Sequence, residues 1–218
     1  MLATLAAKTR SKPRTRDSAR TRDALRQAAF EEMHRSGFRG ADVDAILRKA
    51  GVTKGALYHH FDNKEALGYA VVDDVIAQIM REKWQAPLQE ARNAIDALID
   101  IIRSTSLLPE HVICGCPLNS LSEEMSPLDE GFRKRTAKVF REWHRALTDA
   151  LQQGQSLGTV RKDINAGETA TFLIAAYEGF MSLGKNAQDA GVLRGGQTAL
   201  IRYLESLRPQ RRSRRTEG

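Results

Sequence analysis

Apolar residues recur along most of the chain at the three- and four-residue spacing of a helix face, and no stretch shows the two-residue alternation of a strand. The clearest stripe consists of Val43, Ile46, Leu47 and Ala50. Gly51 ends this helix, and Thr53 is placed to cap a short helix that runs to about His60. The pattern predicts an all-α fold of about nine helices.

Capping residues and helix breakers suggest where the other helices of the first half begin and end. Asp17 or Ser18 is a suitable N-cap for the first helix. Asp62 with Glu65 forms a capping-box pattern ahead of a long fourth helix, which Pro87 would end. These boundaries divide the chain into four predicted parts: a flexible basic arm at 1–16, a small helical head at 17–63, a larger helical body at 64–208, and a basic disordered tail at 209–218.

The second half also contains helix starts, at Ser126-Pro127 with Asp129 in the first turn and at Asn165. The last two helices carry apolar stripes that suit a four-helix dimer interface. The stripes consist of Leu173, Tyr177, Phe180, Met181 and Gly184 on one helix and Val192, Leu193, Leu200, Tyr203, Leu204 and Leu207 on the other. The same stripes would equally suit the subunit's own core, so both interpretations stay open.

The stretch 41–65 predicts a helix-turn-helix. Two short helices joined at Gly51 with almost no linker must cross steeply, which projects the second helix outward. Gly55 is small enough to let that helix approach the floor of the major groove. Thr53 and Lys54 lie at its N-terminus, where free N–H groups and the helix dipole favour phosphate.

Charge is concentrated in the same region. The chain has a formal net charge of +7, and residues 1–60 hold 13 Lys and Arg against 6 Asp and Glu, while the remaining residues hold 21 of each. A basic module joined to a near-neutral one is typical of nucleic-acid-binding proteins. A basic surface without a partner is the alternative.

The run Gly51-Val-Thr-Lys-Gly-Ala-Leu-Tyr-His-His-Phe61, followed by Lys64-Glu65, resembles the recognition-helix signature of the TetR family of transcriptional regulators. The resemblance covers about residues 18–67. It implies a homodimer that binds palindromic double-stranded operator DNA through the head at 17–63 and is released by a small-molecule or electrophile inducer, with the body at 64–208 as the ligand-binding and dimerisation domain. The DNA contacts that it implies are Thr53, Lys54, Gly55, Tyr58, His59 and Lys64, together with the arm residues Arg16, Arg20 and Arg22. For His59 and His60 a solvated surface role is the alternative.

Cys114 and Cys116 are separated by one residue, so a bridge between them would be strained and free thiols are predicted. The run from Cys116 to Met125 and the later Tyr177-Glu178-Gly179 with Lys185 resemble a branch of the same family that responds to electrophiles, oxidants or small unsaturated acids. That resemblance implies Cys116 as the sensor and Lys185 as the amine near its thiol. A position just before a helix would lower the thiol pKa, whereas a packed core thiol is the alternative.

The predicted ligand-binding or redox-sensing residues are Cys116, Asn119, Trp143, Tyr177 and Lys185. Trp143 and Tyr177 would be walls of the pocket, or plain core. His111 with the two cysteines lacks a fourth zinc ligand, so no metal site and no cofactor are predicted.

Other classes of protein fit the sequence less well. The chain lacks a phosphate-binding glycine loop, a nucleophile elbow and a zinc-protease motif, which argues against an enzyme. A non-specific DNA-coating protein and an activator remain open. The apolar patch near the N-terminus precedes its positive charges and no apolar run could span a membrane, so a cytoplasmic location is predicted.

Overall fold

The computed structural model describes residues 14–209, with side chains from residue 17 onward. Nine helices and one single helical turn make up this part of the chain, and it contains no strand, so the all-α prediction is confirmed. The helices are α1 Arg14–Gly40, α2 Val43–Ala50, α3 Lys54–His60, α4 at 64–90, α5 Ala94–Arg103, the single turn α6 Pro109–Val112, α7 Pro117–Met125, α8 Glu130–Leu157, α9 Ala166–Ala187 and α10 Ala190–Ser206. No helix in this range is long and apolar enough to cross a membrane.

Helices α1 to α3 form the head, and α2 and α3 begin and end where the sequence predicts. Asp42 accepts the backbone N–H groups of Asp44 and Ala45, and Gly51 ends α2 with a left-handed backbone at φ +67°. The Thr53 hydroxyl accepts the Ala56 N–H at 3.2 Å and begins α3. The side chains between the head helices and α4 are fully or almost fully buried: Leu25, Ala29, Ile46, Leu57, Phe61 and Leu67.

Two predicted N-caps of the first half are displaced. Helix α1 begins at Arg14, ahead of the expected cap at Asp17 or Ser18. Asn63 caps α4 in place of Asp62, because the Asn63 side-chain oxygen accepts the Ala66 N–H at 2.7 Å. Residues 1–13 of the predicted arm at 1–16 and residues 210–218 of the predicted tail at 209–218 lie outside the described residues.

The prediction that Pro87 ends the fourth helix is wrong. The helix continues to Glu90 and contains two π-helical segments, Val71–Ile76 and Arg81–Gln85. In the second segment the Ala86 N–H bonds to the Arg81 carbonyl, so the hydrogen-bond ladder is already shifted where the proline enters. A residue without an N–H is tolerated there because Pro87 lies in the first turn of the segment that follows.

The predicted helix start at Ser126 is also wrong. Asp129 is the N-cap of α8, since its carboxylate accepts the Phe132 N–H at 2.8 Å. The hydroxyl of Tyr69 donates to the same carboxylate at 2.9 Å, which fixes its position. The Ser126 N–H still bonds to the Ser122 carbonyl at the end of α7.

Most residues of the two apolar stripes face the core of their own subunit, so they do not form the four-helix dimer interface that the sequence suggested, whereas Val192 and Tyr203 are only partly buried. Leu173, Tyr177 and Phe180 of α9 are at most 6% exposed, and Leu193, Leu200 and Leu204 of α10 at most 4%. A different face of α9 lies on the surface, and it carries Phe172, Ala175, Gly179 and Leu183.

Candidate DNA-binding surface and ligand cavity

Helix α3 presents most of its predicted DNA contacts to solvent. Thr53, Lys54, Gly55 and His59 are exposed, and Tyr58 is 49% exposed. Leu57 and Phe61, on the opposite face, are at most 4% exposed. A large aromatic side chain left in solvent beside a buried one shows that the helix is anchored by one face and free to meet a partner with the other.

Gly55 is not required by packing inside the protein. A Cβ atom added there would meet only the Thr53 hydroxyl oxygen, at 3.9 Å. The absence of a side chain leaves the backbone of α3 open to close approach from outside, which is what insertion into the major groove needs.

Two other predicted contacts are engaged within the head. The Lys64 ammonium donates to the Ala41 carbonyl at 2.6 Å and so ties the start of α4 to the turn between α1 and α2. The Arg22 guanidinium donates to the His60 carbonyl at 3.2 Å and lies 4.6 Å from the centre of the Phe61 ring. Arg22 and Arg20 remain exposed, while the Arg16 side chain lies outside the described side chains.

A cavity of about 380 Å³ lies in the body beside the Cys116 loop, and we call it the Cys116 cavity. It opens between α1, α4, α9 and the segment that joins α5 to α7. Its lining consists of Phe30, His34, Ile79, Met80, Lys83, Trp84, Thr105, Ser106, His111, Gly115, Cys116, Pro117, Tyr177 and Met181. Of the predicted ligand residues, Cys116 and Tyr177 line this cavity.

The thiol of Cys116 does not have the lowered pKa that the sequence suggested. Both cysteines are free, but Cys116 is buried at 7% exposure. Burial, with a smaller contribution from the Glu178 carboxylate, raises the pKa of Cys116 well above its ordinary value. The backbone N–H groups of Leu118 and Asn119 at the start of α7 act in the expected direction but are outweighed. The loss of solvation therefore dominates over the helix terminus.

Lys185, the amine predicted near the thiol, does not line the Cys116 cavity. Its ammonium donates to the Ser120 hydroxyl at 2.9 Å, and its carbon chain lies against Gly115. The cation that faces Cys116 across the cavity is Lys83 of α4, whose ammonium donates to the Tyr177 hydroxyl at 2.6 Å and to the Thr105 hydroxyl at 3.3 Å. Burial lowers the pKa of Lys83, and the neighbouring Cys116 and Glu178 oppose that effect.

Glu178 and Asn119 lie close to Cys116 but do not line its cavity. The Glu178 carboxylate is 7% exposed, and neither of its oxygens accepts a hydrogen bond of ordinary geometry among the described residues. Burial raises its pKa to about 7. The Asn119 amide donates to the Ser182 hydroxyl at 3.2 Å and the Glu123 carboxylate at 3.0 Å. Both residues line a second, more open cavity of about 400 Å³ at the α8–α9 surface.

Trp143 lies behind the wall of the Cys116 cavity. It is fully buried, and its ring lies 4.7 Å from that of Trp84 and 5.9 Å from that of Tyr177. Trp84 and Tyr177 form the wall itself, with their ring centres 5.0 Å apart and their planes nearly perpendicular. Trp84, and not Trp143 as predicted, therefore forms the wall of the Cys116 cavity.

Two sets of hydrogen bonds join the Cys116 loop and α7 to the head. His34 of α1 bonds through Nε2 to the Gly115 carbonyl at 3.0 Å. The Glu124 carboxylate of α7 accepts the Phe38 N–H at 2.7 Å and the Arg39 N–H at 2.8 Å, where α1 leaves helical geometry. A side chain at Gly37 would clash with this carboxylate, because a Cβ atom would lie 2.7 Å from Oε2.

Sequence reasoning missed Lys83, Trp84 and Glu178. A signal for two of them was present: Lys83 falls on the same helix face as Ile76, Ile79 and Met80, and Glu178 interrupts an apolar face between Ile174 and Met181. A charge on an apolar helix face marks a buried ionisable group, which is often functional. Its neighbours come from distant helices, so the sequence does not show which site it serves.

Family models match both parts of the chain. The model described as "Bacterial regulatory proteins, tetR family" matches residues 25–71, which include α2 and α3. The model described as "Tetracyclin repressor-like, C-terminal domain" matches residues 87–200, more than half of the chain. The boundary between the two matched regions falls within α4.

Several regulators are similar in sequence or structure. The HTH-type transcriptional repressor DhaR of Mycobacterium sp. strain GP1 is 28% identical over 150 residues, which cover 66% of this chain and 71% of DhaR. The transcriptional regulator AcuR of Cereibacter sphaeroides is 26% identical over 163 residues, 72% of each chain. The crystal structure of a TetR transcriptional regulator from Chloroflexus aurantiacus superposes with a TM-score of 0.77 at 27% identity and covers 88% of this chain and 98% of that one.

Proposed function

Because this chain belongs to the TetR family of transcriptional regulators, we propose that it is a repressor whose hold on operator DNA is released when a small molecule occupies the Cys116 cavity. A DNA-binding transcriptional regulator of this family has an N-terminal DNA-binding domain and a C-terminal ligand-binding domain. In this proposal the DNA-binding domain is the head at 17–63 and the ligand-binding and dimerisation domain is the body at 64–208. The protein would act in the cytoplasm and would have no catalytic role.

The observation that carries the proposal is the pair of contacts between the cavity and the head. The Cys116 cavity is lined by His34 and Gly115, which bond to each other, and by Pro117, the first residue of α7. The other end of α7 holds Phe38 and Arg39 through Glu124. A ligand that displaces the start of α7 is therefore expected to shift the turn between α1 and α2, on which the position of α3 depends.

The exposed face of α3 is proposed to enter the major groove, with Thr53, Lys54, Gly55, Tyr58 and His59 nearest the DNA. Lys64 and Arg22 are proposed to reach phosphate from the edges of the head, and Arg20 and Arg16 to follow the DNA backbone. Hydrogen bonds and charge at a helix N-terminus suit phosphate, while the small residue at 55 allows the close approach that base contacts need.

A homodimer is proposed to form through the outer face of α9 together with α10. Leu183 is 62% exposed and Phe172 48%, although both are large and apolar. They lie on one side of α9 with Ala175 and Gly179 between them, which permits close helix contact. We expect Leu183→Glu to convert the dimer into a monomer by light scattering, whereas Gln152→Glu on exposed α8 should leave it intact.

The experiment that tests the function is fluorescence anisotropy with the DNA beside the protein's own gene, against a scrambled duplex of equal length, across a salt series. A specific regulator should bind the native DNA roughly 1,000-fold more tightly than the control. Equal affinity for both duplexes, lost together as salt rises, would instead identify a non-specific DNA-binding protein.

A further inference from the structure

A buried carboxylate with no hydrogen bond of ordinary geometry lines the open cavity between α8 and α9, which we call the Glu178 cavity. Glu178 is 7% exposed, and neither of its carboxylate oxygens has a hydrogen-bond partner among residues 17–209. The Cys116 thiol lies against this carboxylate but is only a weak donor. A carboxylate that has lost its water without gaining donors is costly to bury, so a donor that enters the cavity would stabilise it.

The cations around this carboxylate are not hydrogen-bonded to it. Arg141 lines the same cavity with an exposed side chain. The Nε2 atom of His144 bonds to the Thr171 hydroxyl at 3.1 Å. Lys83 acts on Glu178 only through its charge, because its hydrogen bonds go to hydroxyls of the Cys116 cavity. The described part of the chain therefore supplies a negative group at this cavity but no donor that meets it.

The rest of the lining suits the hydrocarbon part of a ligand. Phe140, Ile174 and Ala175 form an apolar wall, and the volume of about 400 Å³ lies towards the lower end of the range for small-molecule sites. The Asn119 amide nitrogen donates both hydrogen bonds that this side chain forms within residues 17–209, which leaves its oxygen as a second acceptor.

A metal ion fits this lining less well than an ammonium. A divalent cation such as Ca²⁺ takes six or more oxygen ligands, and no group of three His, Cys, Asp or Glu side chains placed to hold a metal occurs in the described part of the chain. An ammonium carries one charge and three N–H donors, which matches one carboxylate and a neighbouring amide oxygen.

We propose that the Glu178 cavity binds a small primary amine, whose ammonium donates to the Glu178 carboxylate and whose apolar body lies against Phe140 and Ile174. The Glu178 cavity shares no lining residue with the Cys116 cavity. The amine site is thus an addition to the proposed function and stands whether or not the Cys116 cavity releases DNA.

Calorimetric titration of the full chain with benzylamine and butylamine, compared with benzyl alcohol and butanol, tests the charge requirement. Each alcohol has nearly the shape of its amine but lacks the charge. At least one amine should bind about tenfold or more tightly than its alcohol, because the charge-assisted hydrogen bond is lost in the alcohol. Equal binding of amines and alcohols, or no binding of either amine, would overturn the proposal.

Proton release gives a second measurement on the unaltered protein. Burial, with a smaller contribution from Glu123, raises the pKa of the free Glu178 carboxyl to about 7, whereas a bound ammonium would keep it ionised. At pH 7 each bound amine should therefore displace about half a proton, and each alcohol none. Titrations in buffers of different ionisation enthalpy measure this number. Tight amine binding without proton release would contradict a site at Glu178.

Glu178→Gln tests the assigned residue, since glutamine keeps the size of the side chain and removes its charge. This variant should bind amine and alcohol equally and release no proton. Glu168→Gln, an exposed change on the same helix and outside the cavity, is the matched control and should keep both the preference and the proton release. A preference for the amine that persists in Glu178→Gln would contradict the assignment. The two measurements on the unaltered protein decide the proposal even if Glu178→Gln fails to fold.

Discussion

The recognition surface of α3 and the Cys116 cavity are built in opposite ways. Thr53, Lys54, Gly55, Tyr58 and His59 belong to one short helix and its N-cap, and all five are exposed to solvent. The cavity collects side chains from α1, α4, α9 and the segment between α5 and α7, and burial shifts the pKa values of Cys116, Lys83, Tyr177 and Glu178. A substitution on the exposed face of α3 should therefore change DNA affinity without changing stability, whereas a substitution among the buried groups should change stability and leave the DNA affinity of the head intact.

The largest effect is expected at Gly55. Gly55→Leu fills the space that the DNA would occupy, yet meets only the Thr53 hydroxyl inside the protein. We expect specific DNA affinity to fall about 1,000-fold, or about 4 kcal/mol, measured by anisotropy. The melting temperature should change little.

A surface leucine elsewhere provides the control for Gly55→Leu. Gln152→Leu on the exposed side of α8 should leave DNA affinity unchanged. Native-like DNA affinity in Gly55→Leu would mean that α3 does not enter the groove with this face, and a large drop in melting temperature would break the distinction between the two sites.

The opposite behaviour is expected at Glu178. Its carboxyl ionises near 4.5 in the unfolded chain and at about 7 in the fold. Between those values the folded protein holds more protons, so raising the pH favours unfolding, and this contribution to stability is lost as the pH passes 7. Glu178→Gln should remove up to about 3 kcal/mol of that pH dependence between about pH 5 and 8.

Urea unfolding at several pH values measures the effect of Glu178→Gln. Glu168→Gln, an exposed change on the same helix, is the matched control and should keep the pH dependence of the original protein. An unchanged slope in Glu178→Gln would show that Glu178 is solvated. Loss of DNA affinity at constant pH in this variant would contradict the separation of the two sites.

An intermediate effect is expected at Glu124, which joins the two regions. A glutamine there has one acceptor oxygen in place of two, so one of the Phe38 and Arg39 N–H bonds to this side chain is lost. We expect Glu124→Gln to lower the free energy of unfolding by about 2 kcal/mol. Ligand binding to the body should persist while ligand-induced release of DNA weakens.

Paired calorimetry and anisotropy check the coupling through Glu124. The neighbouring Glu123→Gln removes a carboxylate whose one hydrogen bond within the described part of the chain is accepted from the Asn119 amide, and it should leave both readouts unchanged. Full ligand-induced release in Glu124→Gln would show that the signal reaches the head by another path.

The smallest effect is expected in the alkylation rates of the two thiols of the Cys116 loop. Cys116 is buried and its pKa is raised, whereas Cys114 is only partly buried. At pH near 7.5 iodoacetamide should modify Cys114 about tenfold faster than Cys116, because the thiolate is the reactive species. Mass spectrometry of the labelled peptides measures both rates, with denatured protein as the reference in which they become equal.

Faster labelling of Cys116 than of Cys114 would contradict the burial argument and restore the hypothesis of an electrophile sensor at this position. Slow labelling of Cys116 fits a cavity that holds its ligand without a covalent bond.

The sequence by itself determined the head. The caps at Asp42 and Thr53 and the stop at Gly51 set the ends of the two helices of the motif. The helical spacing of apolar positions on α3 decides which of its residues face outward. All of these interactions join residues only a few positions apart in the chain, so they can be predicted from the spacing of residue types in the sequence. The all-α class followed for the same reason.

Only the tertiary structure decided the body. Whether the stripes of α9 and α10 face a partner or their own subunit depends on which helices lie against them, and periodicity does not carry that information. The pKa of Cys116 depends on burial by distant helices, which outweighed the local helix terminus. Lys83, and not Lys185, lines the Cys116 cavity because α4 and α9 meet at Tyr177, 94 residues along the chain from Lys83.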